Sequence, residues 1–290
     1  MRSTKNVESE SFERLYSPVP VCDGAKLSGG MTKTTRTAHI LLAPEVFRAP
    51  GGIARVSRHY LQAIADSDTA SEVTVIVLND ETITPDDLRD CKAQQALAQP
   101  CNRSKWRCLR AIWRHTKSPG AHVTCTHANL SPLLWLARLV GKRLTYDVVV
   151  HGIEVWRALP WTTRRGLEGA RHIFSVSEYT RRELTERYPQ LGPKTVVLPN
   201  ALDPSFSSIK PIRETEVRSP RILTVSRLAA HDWEKGIDHL IQAMAAVCQQ
   251  LPEAELIIIG EGVDRSRLEA LAGESTAGDR IKFLGRVDDK

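Results

Sequence analysis

Three groups of residues have the types and spacing to do chemistry. The first is a cation pair: Arg227 follows the apolar run Ile222 to Val225, and Lys235-Gly236 stands at the start of the next helical stretch. A guanidinium offers a bidentate fork and an ammonium a point charge, and together with a helix N-terminus they are suited to hold a diphosphate. A cation at a helix N-terminus opposes the dipole at roughly 0.3–1 kcal/mol, so helix stability does not explain Lys235. The second group is His151-Gly152, which ends the apolar run Val148-Val149-Val150. An imidazole there stands at the carboxyl edge of a strand, where open α/β sheets gather their reacting groups. Glu154 follows closely and either orients that ring or caps the next helix. The third is Pro50-Gly51-Gly52, ahead of a helical stretch: glycines let a ligand approach the backbone, and the helix beyond offers unpaired N–H groups to an anion.

These residues need a frame, and the sequence supplies one. From Ala38 onward, short β-rich apolar runs alternate with stretches of helical period, the pattern of βαβ units around a parallel sheet. Strands are predicted at His39–Leu42, Val73–Leu78, His122–Thr126, Thr145–Val150, Ile173–Val176 and Thr195–Leu198. Helices are predicted at Ile53–Ala65, Asp86–Ala98, Lys105–Thr116, Pro132–Val140, Thr162–Gly169 and Tyr179–Arg187, the last capped by Ser177. Pro204, Pro211, Pro220 and several Ser break the pattern before it resumes with strands at Arg221–Ser226, Glu255–Ile259 and Ile281–Leu284. The helices of this second series are Lys235–Gln250 and Asp264–Ala272. The fold class is therefore α/β, read as a disordered leader 1–37, a Rossmann-like domain 38–203, a linker 204–220 and a second Rossmann-like domain 221–290. Three strands are about half a doubly wound sheet, so the second domain is expected to be incomplete within this chain. Met31, just ahead of the first strand, is a candidate start as well as Met1.

Composition narrows the class. The chain has 290 residues, 41% of them hydrophobic and 26% charged, enough to bury a core and too apolar for wholesale disorder. Six scattered Cys without a CxxC pair argue against structural zinc and a disulfide framework, and for reduced thiols. No apolar run approaches the ~20 residues of a membrane span, and the leader has no secretory core. Neither βα series opens with GxGxxG, which disfavours a dinucleotide enzyme.

Taken in order, these pieces resemble the retaining, nucleotide-sugar-dependent glycosyltransferases of family 4, which have the GT-B fold. The resemblance runs from about Ala38 to the end. It rests on Pro50-Gly51-Gly52-Ile53-Ala54-Arg55-Val56, His151-Gly152-Ile153-Glu154-Val155-Trp156, Ser175-Val176-Ser177-Glu178-Tyr179-Thr180 and Leu198-Pro199-Asn200-Ala201-Leu202-Asp203. Further on it rests on Ser226-Arg227-Leu228, Glu234-Lys235-Gly236 and Ile259-Gly260-Glu261-Gly262. It implies two Rossmann-like domains facing a cleft, the second holding a nucleoside-diphosphate sugar and the first an acceptor, lipid-linked or a growing glycan. It implies transfer with retention at the anomeric carbon and no obligatory metal or cofactor. Arg227 and Lys235 match the family's pair on the donor diphosphate, Gly51 and Gly52 its donor-closing loop, and His151 its active-site histidine. The family's paired-glutamate segment is expected beyond Lys290.

The charge adds a second theme. A net +6 arises from 40 Lys plus Arg against 34 Asp plus Glu, yet the stretch between Asp90 and Asp147 holds ten cations and no acid. Within it Arg103, Arg107, Arg110, Arg114 and Lys117 recur at steps of four and three, one helical face, with Trp106, Leu109 and Trp113 adjoining. Such a helix suits an anionic membrane surface, which predicts a cytoplasmic protein peripheral on the inner face of a membrane. The competing readings are a solvated basic face with its Trp residues in the core, and a non-catalytic module binding anionic lipid or nucleic acid. No zinc-finger or RNP-type motif supports nucleic acid as a partner.

Overall fold

The computed structural model describes residues 37–48, 51–67, 70–116, 120–141, 144–203, 206, 220–230 and 235–287. The leader up to residue 36, Met31, Pro50, Lys117, Lys142, Arg143, Glu234, and the linker apart from Phe206 and Pro220 lie outside these residues. The chain divides into two compact units at Leu202/Asp203.

In the first unit the strands are β1 (Thr37–Ala43), β2 (Ala70–Val77), β3 (Leu97–Pro100), β4 (His122–Cys125), β5 (Thr145–Val150), β6 (Ile173–Ser175) and β7 (Thr195–Val197). They form one parallel sheet in the order β3-β2-β1-β4-β5-β6-β7. The helices are α1 (Gly52–Ala65), α2 (Pro85–Asp90), α3 (Lys105–His115), α4 (Ser131–Leu139), α5 (Ile153–Trp156), α6 (Trp161–Gly169) and α7 (Glu178–Arg187). Side chains alternate across a strand, so β1 feeds two cores at once. Ile40 and Leu42 join a core with Cys108, Ile112, Leu134, Val148 and Leu167, while Leu41 and Ala43 join Leu61, Ile64, Val75 and Leu88. All four β1 residues are buried, which for the Ile and Leu side chains contributes roughly 1.5–3 kcal/mol apiece. This burial on both faces is what parallel sheets demand and why β1 and β5 read as unbroken apolar runs.

The register aligns the carboxyl ends of the strands: Ala43 pairs with Val77, Leu42 with Cys125, Cys125 with Val148, and Val150 with Ser175. The chain leaves β1 toward β2 and β3, then returns to β4 on the other side, so the winding reverses between β1 and β4. Ligands of doubly wound sheets bind at the carboxyl side of such a reversal.

Three expectations need correction here. The helix expected at Asp86–Ala98 is only α2, six residues long, capped by a reciprocal Thr84–Asp87 box, and Leu97–Pro100 is the edge strand β3. Pro100 at its end fits an edge strand and nothing more central. Arg103 is not on the basic helix: it sits at φ 59 ahead of the N-cap Ser104, whose hydroxyl accepts from the Arg107 amide. The Trp residues of α3 are not in the core, because Cys108, Ala111 and Ile112 fill the buried stripe and Trp106 and Trp113 face outward.

The second unit contains β8 (Arg221–Val225), α8 (Ile237–Gln250), β9 (Glu255–Ile259), α9 (Arg265–Gly273) and β10 (Ile281–Gly285). Its parallel sheet has the order β10-β9-β8. One face packs Leu256, Ile258 and Ile281 against Ile241, Met244 and Leu268 of the helices; Leu223, Val225 and Leu284 on these strands are exposed. Helix α8 begins at Ile237 after Gly236 in the left-handed region, so Lys235 precedes the helix and is not its first residue.

Candidate functional site

At the carboxyl edge of the first sheet, β5 ends in His151, and the ring is fixed there by its neighbours. Its Nε2 lies 2.8 Å from the Thr126 carbonyl oxygen, which can only accept, so Nε2–H is the donor. Glu154 takes the capping role: its carboxylate accepts from the backbone amides of His151 at 2.5 Å and Gly152 at 2.9 Å, and it belongs to the first turn of α5. Gly152 has φ 155, and a Cβ there would press on the Trp156 ring. Trp156 in turn donates to Thr180 at 3.3 Å and stacks edge-on with the exposed Tyr179.

A second histidine completes this edge. His127 follows β4 as His151 follows β5, and the two rings are 5.9 Å apart. The His127 Nδ1 accepts from the Asn129 amide at 3.1 Å, which puts its proton on Nε2. Burial lowers the His127 pKa below the ordinary value; Glu154 pulls it back, His151 lowers it further, and Glu45 raises it. His127 is therefore neutral at neutral pH. It lines a pocket of about 280 Å³ together with Pro44, Glu45, Ile53, Leu78, Lys105 and Asn129. These residues come from the ends of β1, β2 and β4 and from the starts of α1 and α3, so the pocket lies at the reversal of the winding. Ile53 brings in the α1 N-terminus, which has no side-chain cap and no acid in its first turn. Nothing lies within 4 Å of a Cβ placed on Gly51 or Gly52, so no contact in the unit itself requires glycine at either position.

In the second unit, the loops leaving the strands are tied side by side. The Ser226 amide donates to the Ile259 carbonyl at 2.9 Å and that of Leu228 to the Glu261 carbonyl at 3.0 Å, while the Gly260 amide donates to Gly285 at 2.8 Å. Gly260 and Gly262 permit this approach: a Cβ on either would collide with the carbonyl of Ser226 or Leu228. Arg227 is held at the strand end by this ladder. It is exposed and lines a small cleft with Asp238, Asp264 and Arg267. Lys235 is also exposed but is not among the residues of that cleft. The three sequence-predicted groups thus fall at strand ends and helix starts, His151 and Gly51-Gly52 in the first unit, Arg227 and Lys235 in the second.

Sequence reasoning missed His127, Glu45, Lys105 and Asn129 as pocket residues. The signal for His127 was a strand followed by His, as at His151, but Thr124 and Thr126 interrupt the apolar run. A separate polar cluster lies toward the amino ends of the strands. There Asp147 accepts from His122 Nε2 at 2.9 Å and from the His172 amide at 3.0 Å, and His39 packs edge-on against His122.

Two parallel-sheet units, each with its loops gathered at the carboxyl ends of its strands, are the architecture of the GT-B glycosyltransferases. The sequence pattern of Glycosyltransferase Family 4 matches residues 50–206, and that of Glycosyl transferases group 1 matches residues 206–290. The chain belongs to glycosyltransferase family 4. It is 38% identical over 120 residues to a protein of human phosphatidylinositol N-acetylglucosaminyltransferase, covering 41% of this chain and 24% of that protein. It is 29% identical over 136 residues to the phosphatidyl-myo-inositol mannosyltransferase of Mycobacterium tuberculosis, covering 46% of this chain and 35% of that one. The chain thus matches well under half the length of these curated relatives. Among solved structures, a lipopolysaccharide outer core galactosyltransferase superposes with a TM-score of 0.59 at 18% identity, covering 86% of this chain and 68% of that one. The Anabaena protein HepE in complex with UDP gives 0.62 at 14% identity, covering 87% and 70%. These likenesses establish the fold.

Proposed function

We propose that the protein moves a sugar from a nucleoside-diphosphate sugar to a lipid-linked or polysaccharide acceptor, with retention of anomeric configuration. The observation that carries this reading is the carboxyl edge of the first unit, where His127 and an uncapped helix start line a pocket and His151 stands beside His127 with ring centroids 5.9 Å apart, in a chain of this family. The pocket takes the acceptor. Glu45, Asn129 and the Nε2–H of His127 are the groups that bond its hydroxyls, and His151 acts at the transferred sugar. Relatives named for phosphatidylinositol acceptors support a lipid-linked substrate.

Arg227 and Lys235 hold the donor diphosphate in the second unit. As the bond from the anomeric carbon to the diphosphate breaks, negative charge grows on the leaving group, and the guanidinium and ammonium neutralise it. Gly51 and Gly52 leave room for the donor to approach the α1 amides. With two cations in that role no obligatory metal is required, so EDTA is expected to leave the rate unchanged. The test of the reading is thermal stabilisation by UDP or GDP against NAD and duplex DNA, followed by transfer of labelled sugar from the stabilising nucleotide to lipid extract. Stabilisation by NAD or DNA alone would overturn it.

A further inference from the structure

Helix α3 carries two exposed indoles and four exposed cations on its outward side. Its core-facing stripe is Cys108, Ala111 and Ile112, all buried. Diametrically opposite stand Trp106, 79% exposed, and Trp113, 48% exposed. Seven residues apart on an α-helix, they fall within about 20° of each other around the axis. Lys105, Arg107, Arg110 and Arg114 flank them and are all exposed. Among the described residues none of these four makes an ion pair, and the sequence has no acid between Asp90 and Asp147 to supply one. A face kept for solubility would carry charges of both signs and no indoles, since an exposed Trp leaves a large apolar area in water. A row of indoles beside a row of three arginines, with Lys105 on the other side, instead matches the layering of a lipid surface, with indoles at the interface and cations among anionic headgroups.

The same helix reaches the pocket. Lys105, the first residue of α3, lines it beside Glu45, His127 and Asn129. We infer that the Trp106–Trp113 face of α3 docks on an anionic lipid bilayer, and that this docking sets the pocket mouth at the headgroup layer so that the acceptor is drawn from the membrane. The second half rests on the transferase reading; the first does not. Phosphate-bearing headgroups are the acceptor class this placement favours, with Lys105 as the cation that meets the phosphate.

The test uses the 290-residue chain and vesicles of phosphatidylcholine alone or with 30% phosphatidylglycerol, read by co-sedimentation and by Trp emission. Docking requires at least tenfold tighter binding to the anionic vesicles, with a blue shift of the emission. The double variant W106A/W113A should bind at least tenfold more weakly, and W106A alone, which removes the 79% exposed indole, should weaken binding with an unchanged circular dichroism spectrum. R107Q and R110Q should each weaken binding about fivefold, K105Q similarly. Equal binding to both vesicles, binding to neither, or binding indifferent to W106A/W113A overturns the docking surface. So does duplex DNA that displaces the vesicles and binds W106A/W113A as well as the parent, which would assign the face to nucleic acid. If vesicles bind as expected while no sugar is transferred, the docking surface stands and the transferase reading fails.

Discussion

At the scale of single residues, the chemistry rests on side chains whose state is set by one or two neighbours. Arg227 should cost 10–100-fold in nucleoside-diphosphate affinity when changed to Ala, since a hydrogen bond to a charged group contributes about 1.5–3 kcal/mol; titration calorimetry reads this directly. His39 offers a separate pH test. Burial lowers its pKa to about 4, the neighbouring His122 adding to the effect and Asp147 opposing it. Between pH 6.5 and that value the unfolded chain binds a proton that the folded one refuses, so stability falls as the pH falls through this window. Asp147 works in the same direction. Desolvation would raise it, but hydrogen bonds and charge from His122 and His172 outweigh that and hold its pKa below the ordinary value, so its contribution is lost at still lower pH. Denaturation curves from pH 7 to 4 should lose about 1–2 kcal/mol, the linkage value discounted for partial exposure, and His39→Asn should flatten them. Of the site residues, His151 was legible because it ends an apolar run. His127 was not, because polar threonines precede it, and Lys105 was read as helix charge before the fold showed it at a pocket.

At the scale of elements, boundaries were most legible where a continuous apolar run marked the strand. β5 and β9 match their predicted spans residue for residue, and Ser177 caps α7 through the Thr180 amide at 3.1 Å. β3 was illegible because an edge strand of Leu97-Ala98-Gln99-Pro100 is only partly buried and continues a helix-forming composition. The glycine pairs give opposite predictions. Gly262→Ala forces apart the ladder between Leu228 and Glu261, so it should lower stability by about 2 kcal/mol or more and loosen Arg227 with it. Gly51→Ala meets no neighbour within 4 Å, so the thermal midpoint should hold while transfer slows. A Gly51→Ala protein that loses stability would show that the glycine serves the fold and not the ligand.

At the scale of the whole molecule, each unit has its own core, so calorimetry should resolve two unfolding transitions. A nucleoside diphosphate at about a hundred times its Kd adds roughly 2.7 kcal/mol to whichever unit binds it, and only the transition of the second unit should move. A shift of the first unit's transition alone would reverse the assignment of donor and acceptor. No helix among the described residues is long and apolar enough to cross a membrane. The strand order carries a further consequence for biogenesis. β2 joins β1, β3 joins β2, β4 returns to β1, and β5, β6 and β7 each join the strand made just before; β9 and β10 do the same on β8. Each strand finds its partner already synthesised, so both sheets can assemble in the order in which they leave the ribosome, and no described strand has to wait for a later one to pair.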